Sequence, residues 1–299
     1  MRDNISKDDV IQLIRQQHES LSPSQQKVAE FLVHGGIDVL HYPVAKIAKK
    51  VEVNPSTVVR TAQALGFEGF PELQSALRQQ FLRQARLSQR IQLGYEQLLD
   101  DLHSEEDNNS HILTTVIRDE IQSLVELPNY IPTAVFDNAV DMLDESKHVY
   151  IIGLGASFPI ALTFGTFLRY VRPNTTVLTQ GIDPIPSQLT ELVAGDLVFS
   201  ICFARYTRET LNTMECAKRM GAKIVTVTDG DLSPAAKRAD LSLIVPYRLR
   251  LYGNSIGPFA LIDALLGALS LRHPEATQER LDKLEELYEA FNLLSKPGE

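Results

Sequence analysis

VAKIAKKVEVNPSTVVRTAQALGFEGFPEL, residues 44–73, decides how the N-terminal part of this chain is read. A first helix would carry Val44, Ile47, Ala48 and Val51 on one face, followed by a tight turn at Glu52-Val53. Asn54 suits an N-cap, and Pro55 suits the first helical position, where its missing N–H costs nothing. In the second helix Val58, Ala62 and Leu65 recur at i, i+4 and i+7, the spacing of a buried stripe. Opposite them the reading sets Thr57, Arg60, Thr61 and Ala64, a face of short groups and one arginine. Such a face fits a DNA major groove, where arginine can fork onto guanine and small side chains allow close approach. Gly66 closes the helix as a C′ residue. An ordinary helical corner shares this periodicity, so the pattern alone leaves both readings open.

The charge distribution favours nucleic acid more than the total does. The chain of 299 residues has a formal charge of −9. Residues 45–90 hold eight lysines and arginines against three acidic residues, a local +5 that leaves −14 for the remainder. Lys46, Lys49, Lys50 and the arginines at 78, 83, 86 and 90 are candidates for phosphate contacts, the sequence-blind part of DNA affinity. A solvated face on a connecting helix is the other reading of residues 83–90.

Beyond this region, helices are expected over 70–98, 112–126 and 134–143, with the acidic run DDLHSEEDNNS (100–110) as a linker or exposed turn. From His148 the rhythm changes. Short β-branched runs, HVYIIG (148–153), TTVLT (175–179), DLVFSI (196–201), KIVTVT (223–228) and LSLIV (241–245), alternate with helical stretches. That alternation predicts a five-stranded parallel sheet with helices on both faces, and ligands beyond the C-terminal strand ends.

Gly153-Leu154-Gly155-Ala156-Ser157 follows the first of these strands. A dinucleotide fingerprint would need a third glycine, but Phe158 stands there, and the second strand ends without an acidic residue to grip a ribose. The glycines let the backbone approach an anion, while Ser157 at a helix start offers a hydroxyl and an N–H. A tight turn with an idle serine is the alternative. After the third strand comes Cys202-Phe203-Ala204-Arg205-Tyr206-Thr207-Arg208-Glu209-Thr210. Arg205 can grip a phosphate or carboxylate through two donors, or form a surface or subunit salt bridge. Ser233 is read as the cap of a short helix opened by Pro234.

The segment STVVRTAQALGFEGFPEL (56–73), preceded by LSPSQQKVAEFLVHG (21–35), resembles the N-terminal domain of the RpiR family of bacterial transcriptional regulators. Its specific features are Thr-Val-x-Arg in the reading helix and Leu-Gly-Phe-x-Gly-Phe-x-x-Leu after it. Glu52 departs from the glycine frequent at that turn position. The resemblance covers nearly the whole chain and implies a C-terminal SIS (sugar isomerase) domain that binds phosphorylated sugars. Gly153-x-Gly155-x-Ser157 is similar to the first phosphosugar motif of such domains. At the second motif, where many read Ser-x-Ser-Gly-x-Thr, this chain has Cys202, Ala204 and Arg205 but keeps Thr207.

The expectations are therefore a helix-turn-helix domain (1–85), connecting helices and linker (86–125), and an α/β SIS effector domain (126–290). The DNA-binding candidates are Lys46, Lys49, Lys50, Ser56, Thr57, Arg60 and Thr61. The effector-binding candidates are Gly153, Gly155, Ala156, Ser157, Cys202, Arg205, Thr207 and Thr210. Operator DNA, a small anionic effector and a second copy in a homodimer or homotetramer are the expected partners. A symmetric oligomer suits a palindromic operator. Neither cofactor nor metal is expected, since Cys202 and Cys216 have no His/Cys cluster nearby. No apolar run nears the roughly 18 residues of a membrane span. The start, MRDNISKDDV, lacks signal-peptide character, so a cytoplasmic location is expected. Sugar-phosphate isomerisation is the alternative function. It needs a base next to a carbonyl carbon, and Glu209 is the best local candidate, with no histidine in either motif.

Overall fold

The computed structural model describes residues 10–34, 39, 40, 42–84, 95, 111–246 and 256–293, with backbone alone at 79 and 82–84. The chain divides into two compact units, Met1–Asn109 with Leu249–Tyr252, and Ser110–Arg248 with Gly253–Glu299. The expected linker 100–110, the expected helix beyond Gln84, Arg86, Arg90 and the side chain of Arg83 lie outside the described residues.

The first unit is helical: α1 (Val10–Gln17), α2 (Pro23–His34), α3 (Val44–Lys50), α4 (Pro55–Ala64) and α5 (Phe70–Gln84). Pro23 opens α2, and the Gln25 side chain accepts from the Ser22 N–H at 3.0 Å, half of a capping box. Helix α4 packs against α2, α3 and α5. It does so through Val58, Ala62 and Leu65, all buried with Ile47, Phe70 and Leu73. From α5, Gln74 donates to the carbonyls of Val39 (3.1 Å) and Tyr42 (3.0 Å), and Arg78 donates to that of Leu40 at 2.7 Å. These bonds satisfy the backbone of the segment that leads into α3.

The second unit begins with α6 (Ile112–Glu126) and α7 (Thr133–Glu145), then alternates: β1 (Val149–Ile152), α8 (Phe158–Val171), β2 (Thr175–Val177), α9 (Ile185–Gln188), β3 (Leu197–Ile201), α10 (Arg208–Arg219), β4 (Lys223–Thr228) and β5 (Leu241–Ile244). Helices α11 (Ile256–Arg272) and α12 (Pro274–Ala290) follow. All five strands are parallel, in the order β2-β1-β3-β4-β5. Strand residues alternate between two apolar layers. Val149, Ile151 and Phe199 meet α7, α8 and α11 on one face; Tyr150, Ile152 and Val198 meet α9 and α10 on the other. The Arg172 guanidinium holds the C-terminal end of α7 by donating to the Leu143 carbonyl and to the Ser146 carbonyl (2.7 Å) and hydroxyl (2.9 Å). Helix α6, which the sequence reading assigned to the connection, packs on α11 within this unit. Among the described residues no single helix is long and apolar enough to cross a membrane.

Candidate functional site

The helix-turn-helix forms as the sequence reading expects, and its ends show why. Asn54 Oδ1 accepts from the Ser56 N–H at 3.0 Å, and Pro55 occupies the first turn. At the other end the Gly66 N–H reaches the Gln63 carbonyl and the Phe67 N–H the Ala62 carbonyl, both at 3.0 Å. This Schellman closure has Gly66 at φ +86°, a conformation glycine adopts without strain. Glu52 takes φ +55° in the turn, a left-handed conformation that glycine adopts freely and that costs a residue with a Cβ.

On the outer face of α4, Ser56 and Arg60 are exposed and Thr57 is half-buried. The Arg60 guanidinium folds back on Ser56, reaching its Oγ at 2.9 Å and its carbonyl at 3.3 Å. Thr61 corrects the sequence reading. It is fully buried and donates its hydroxyl to the Thr57 carbonyl at 2.7 Å. Positions 58, 61, 62 and 65 form one inward stripe, whose i+3 member is polar and so does not stand out in an apolar pattern. Gln63 was missed. It lies exposed one turn beyond Arg60, and its amide is of the type that pairs with adenine. Lys46, Lys49 and Lys50 are exposed on α3, with the Lys46 and Lys50 ammoniums 4.0 and 5.1 Å from the Tyr42 ring centroid. Arg78 is corrected as a phosphate candidate, because it is turned inward onto Leu40 and burial lowers its pKa.

In the α/β unit the strand order reverses between β1 and β3, the place where open parallel sheets form a crevice at their C-terminal ends. Both candidate loops leave from there. Gly153 is buried, and a Cβ on it would lie 2.9 Å from the Ser157 carbonyl oxygen and 3.2 Å from that of Ile201. Only glycine fits between the turn and β3. Gly155 and Ala156 are exposed, and Ser157 is 8% exposed just before α8. A Cβ on Gly155 would lie 4.0 Å from the Thr207 methyl, so the two loops adjoin.

Thr207 is the N-cap residue of α10, half-buried, with its Oγ1 2.7 Å from that of Thr210. Thr210 and Cys202 are interior. Burial, with Asp229 close by, pushes the Cys202 thiol up to about 12, so it stays protonated in the apolar layer. Arg205 is exposed, with no ion pair among the described residues.

Asp229 follows the last residue of β4 and is absent from the sequence candidates. It accepts from the Tyr206 hydroxyl (2.8 Å), the Ala204 N–H (3.3 Å) and the Thr228 hydroxyl (3.1 Å), and so fixes the 202–207 loop. A carboxylate ending a strand beside the site's own strand was the available signal. Ser233 accepts from the Ala236 N–H at 2.9 Å, consistent with its reading as a cap. Glu209 accepts from the Gln180 amide at 2.6 Å and borders a groove of about 580 Å³ between α9 and the flank of α10. Among the described residues no group of His, Cys, Asp or Glu could hold a metal.

Residues 9–84 match the model of the helix-turn-helix domain of the rpiR family, and residues 142–254 match that of the SIS domain. The chain belongs to the RpiR family. It is a helix-turn-helix regulator with a SIS domain on a five-stranded parallel sheet. The HTH-type transcriptional regulator HexR of Pseudomonas aeruginosa is 26% identical over 239 residues, 79% of each chain. The sugar isomerase domain of an RpiR transcription factor from Sphaerobacter thermophilus is 27% identical, with a TM-score of 0.56 over 58% of this chain and 98% of that one. The Vibrio vulnificus NanR protein, complexed with ManNAc-6P, shares the fold at 17% identity and a TM-score of 0.57, covering 96% of this chain and 100% of that one.

Proposed function

We propose that this regulator's DNA affinity answers to a small anionic metabolite, a sugar phosphate or related anion, bound between the 153–157 and 205–210 loops. The observation that carries this reading is the meeting of those loops at the sheet's switch point, each running into a helix N-terminus. Backbone N–H groups at such ends favour an anion. Ser157 and Thr207 would donate hydroxyls, Arg205 would add a mobile cation, and Cys202 and Thr210 would support the loop from beneath. ManNAc-6P, the ligand named with NanR, belongs to the class proposed. Residues 1–85 would dock on double-stranded operator DNA and residues 126–290 would form the sensor, with 86–125 as the connection and α6 docked on the sensor. On the DNA side, Lys46, Lys49 and Lys50 would meet phosphates, and Ser56, Thr57 and Arg60 would face the groove. The protein would act as a homodimer or homotetramer in the cytoplasm, without turnover; Glu209 is the best local candidate for a base, and its carboxylate is held by the Gln180 amide. Calorimetry with a panel of sugar phosphates and sugar acids tests the ligand class. Micromolar binding of a phosphorylated or acidic sugar that is lost in Ser157→Ala/Thr207→Ala supports it, and equal binding by parent and variant places the ligand elsewhere. Interconversion of aldose and ketose phosphates that Glu209→Gln abolishes would instead establish an isomerase.

A further inference from the structure

Helix α6 carries apolar residues on both of its sides. Its inward side holds buried Thr115 and half-buried Val116, Asp119, Glu120 and Leu124. Its outward side shows Leu113, Ile117, Ile121 and Val125, which are 61%, 49%, 56% and 67% exposed. A surface helix ordinarily confines its apolar residues to the inward face. Contiguous apolar patches of this kind on soluble proteins mark interaction sites.

The geometry of the row selects its occupant. The four residues recur every fourth position and so form a single i±4 ridge, the kind that interdigitates with a like ridge at about −50°. The row also reads alike in both directions: about its midpoint at Asp119, Leu113 exchanges with Val125 and Ile117 with Ile121. A two-fold axis there would put every apolar residue against another apolar one, as an isologous contact requires. With the flanking side chains, such a crossing buries roughly 1,000 Å² in total, the lower bound for a specific interface.

We propose that α6 packs across α6 of a second copy of this chain about a two-fold axis, with Ile117 facing the partner's Ile121 and Leu113 facing the partner's Val125. This rests on the oligomeric reading above and assigns it a surface.

The test uses the full chain in two forms. Sedimentation equilibrium compares the parent with Ile117→Glu/Ile121→Glu, with thermal unfolding confirming that the variant is folded. Ile117→Cys/Ile121→Cys, in a Cys216→Ser background, is then oxidised. The expected results are half the parent's mass for the charged variant and covalent dimers for the cysteine pair. A folded charged variant at the parent's mass, or a cysteine pair that stays monomeric on denaturing gels, overturns the α6 interface. A monomeric parent overturns the oligomeric reading itself and α6 with it.

Discussion

The two units carry function in opposite ways. In the helical unit the candidate groups lie on two consecutive helices, α3 and α4, within about twenty residues of sequence, and most are exposed. In the α/β unit they come from two loops some fifty residues apart, and half of them are interior. A helix face is written by periodicity, so it survives most changes in the surrounding core. A site at a switch point exists only because parallel crossovers bring β1 and β3 side by side, so it depends on close packing at the loop bases.

That difference predicts unequal fragility. Gly153→Val should be the most damaging single change, because its side chain would be driven into the Ser157 and Ile201 carbonyls. A loss of about 3 kcal/mol in the α/β unit, the upper range for overpacking, should appear as a lower urea midpoint. Unchanged stability would mean that the loops are not tightly held. Arg60→Ala should leave folding intact but cost about 1–3 kcal/mol on operator DNA and far less on random sequence, measured by fluorescence anisotropy. Equal losses on both DNAs would move Arg60 to the phosphate contacts. Lys49→Ala, by contrast, should weaken both DNAs alike and flatten the salt dependence.

Two smaller effects sharpen the helical side. Asn54→Ala removes the cap of α4 and should cost about 1 kcal/mol in thermal stability. Glu52→Gly relieves a left-handed residue but loosens the unfolded chain, so a gain below about 1 kcal/mol is expected. A clear destabilisation by Glu52→Gly would show that the side chain, not the turn, matters there.

The sequence was most legible where one segment contains its own explanation. Asn54, Pro55 and Gly66 announce the ends of α4, and the β-branched runs announce five strands, because caps and periodicity are local physics. Thr61 misled because a threonine hydroxyl can satisfy itself on the preceding turn, at the Thr57 carbonyl, and then be buried like an apolar residue. Arg78 misled for a long-range reason, its guanidinium being turned inward onto the carbonyl of Leu40, 38 positions away in sequence. Asp229 was not legible as an organiser of the 202–207 loop, because its partners become neighbours only when β3 pairs with β4. The adjacency of Gly155 and Thr207 likewise follows from strand order, which no single stretch encodes.

The central claim is that the loop pair at the β1/β3 switch point senses an anion on behalf of the DNA-reading helix. Operator affinity measured with and without the best-binding sugar phosphate, in the parent and in Ser157→Ala/Thr207→Ala, tests it directly. Two neutral donors at about 0.5–1.5 kcal/mol each imply roughly tenfold weaker effector binding or more. The account predicts that the effector shifts operator affinity in the parent. In the double variant, effector-free affinity should be unchanged, and the shift should require at least tenfold more ligand. A shift of the same size at the same ligand concentration in both proteins would contradict it.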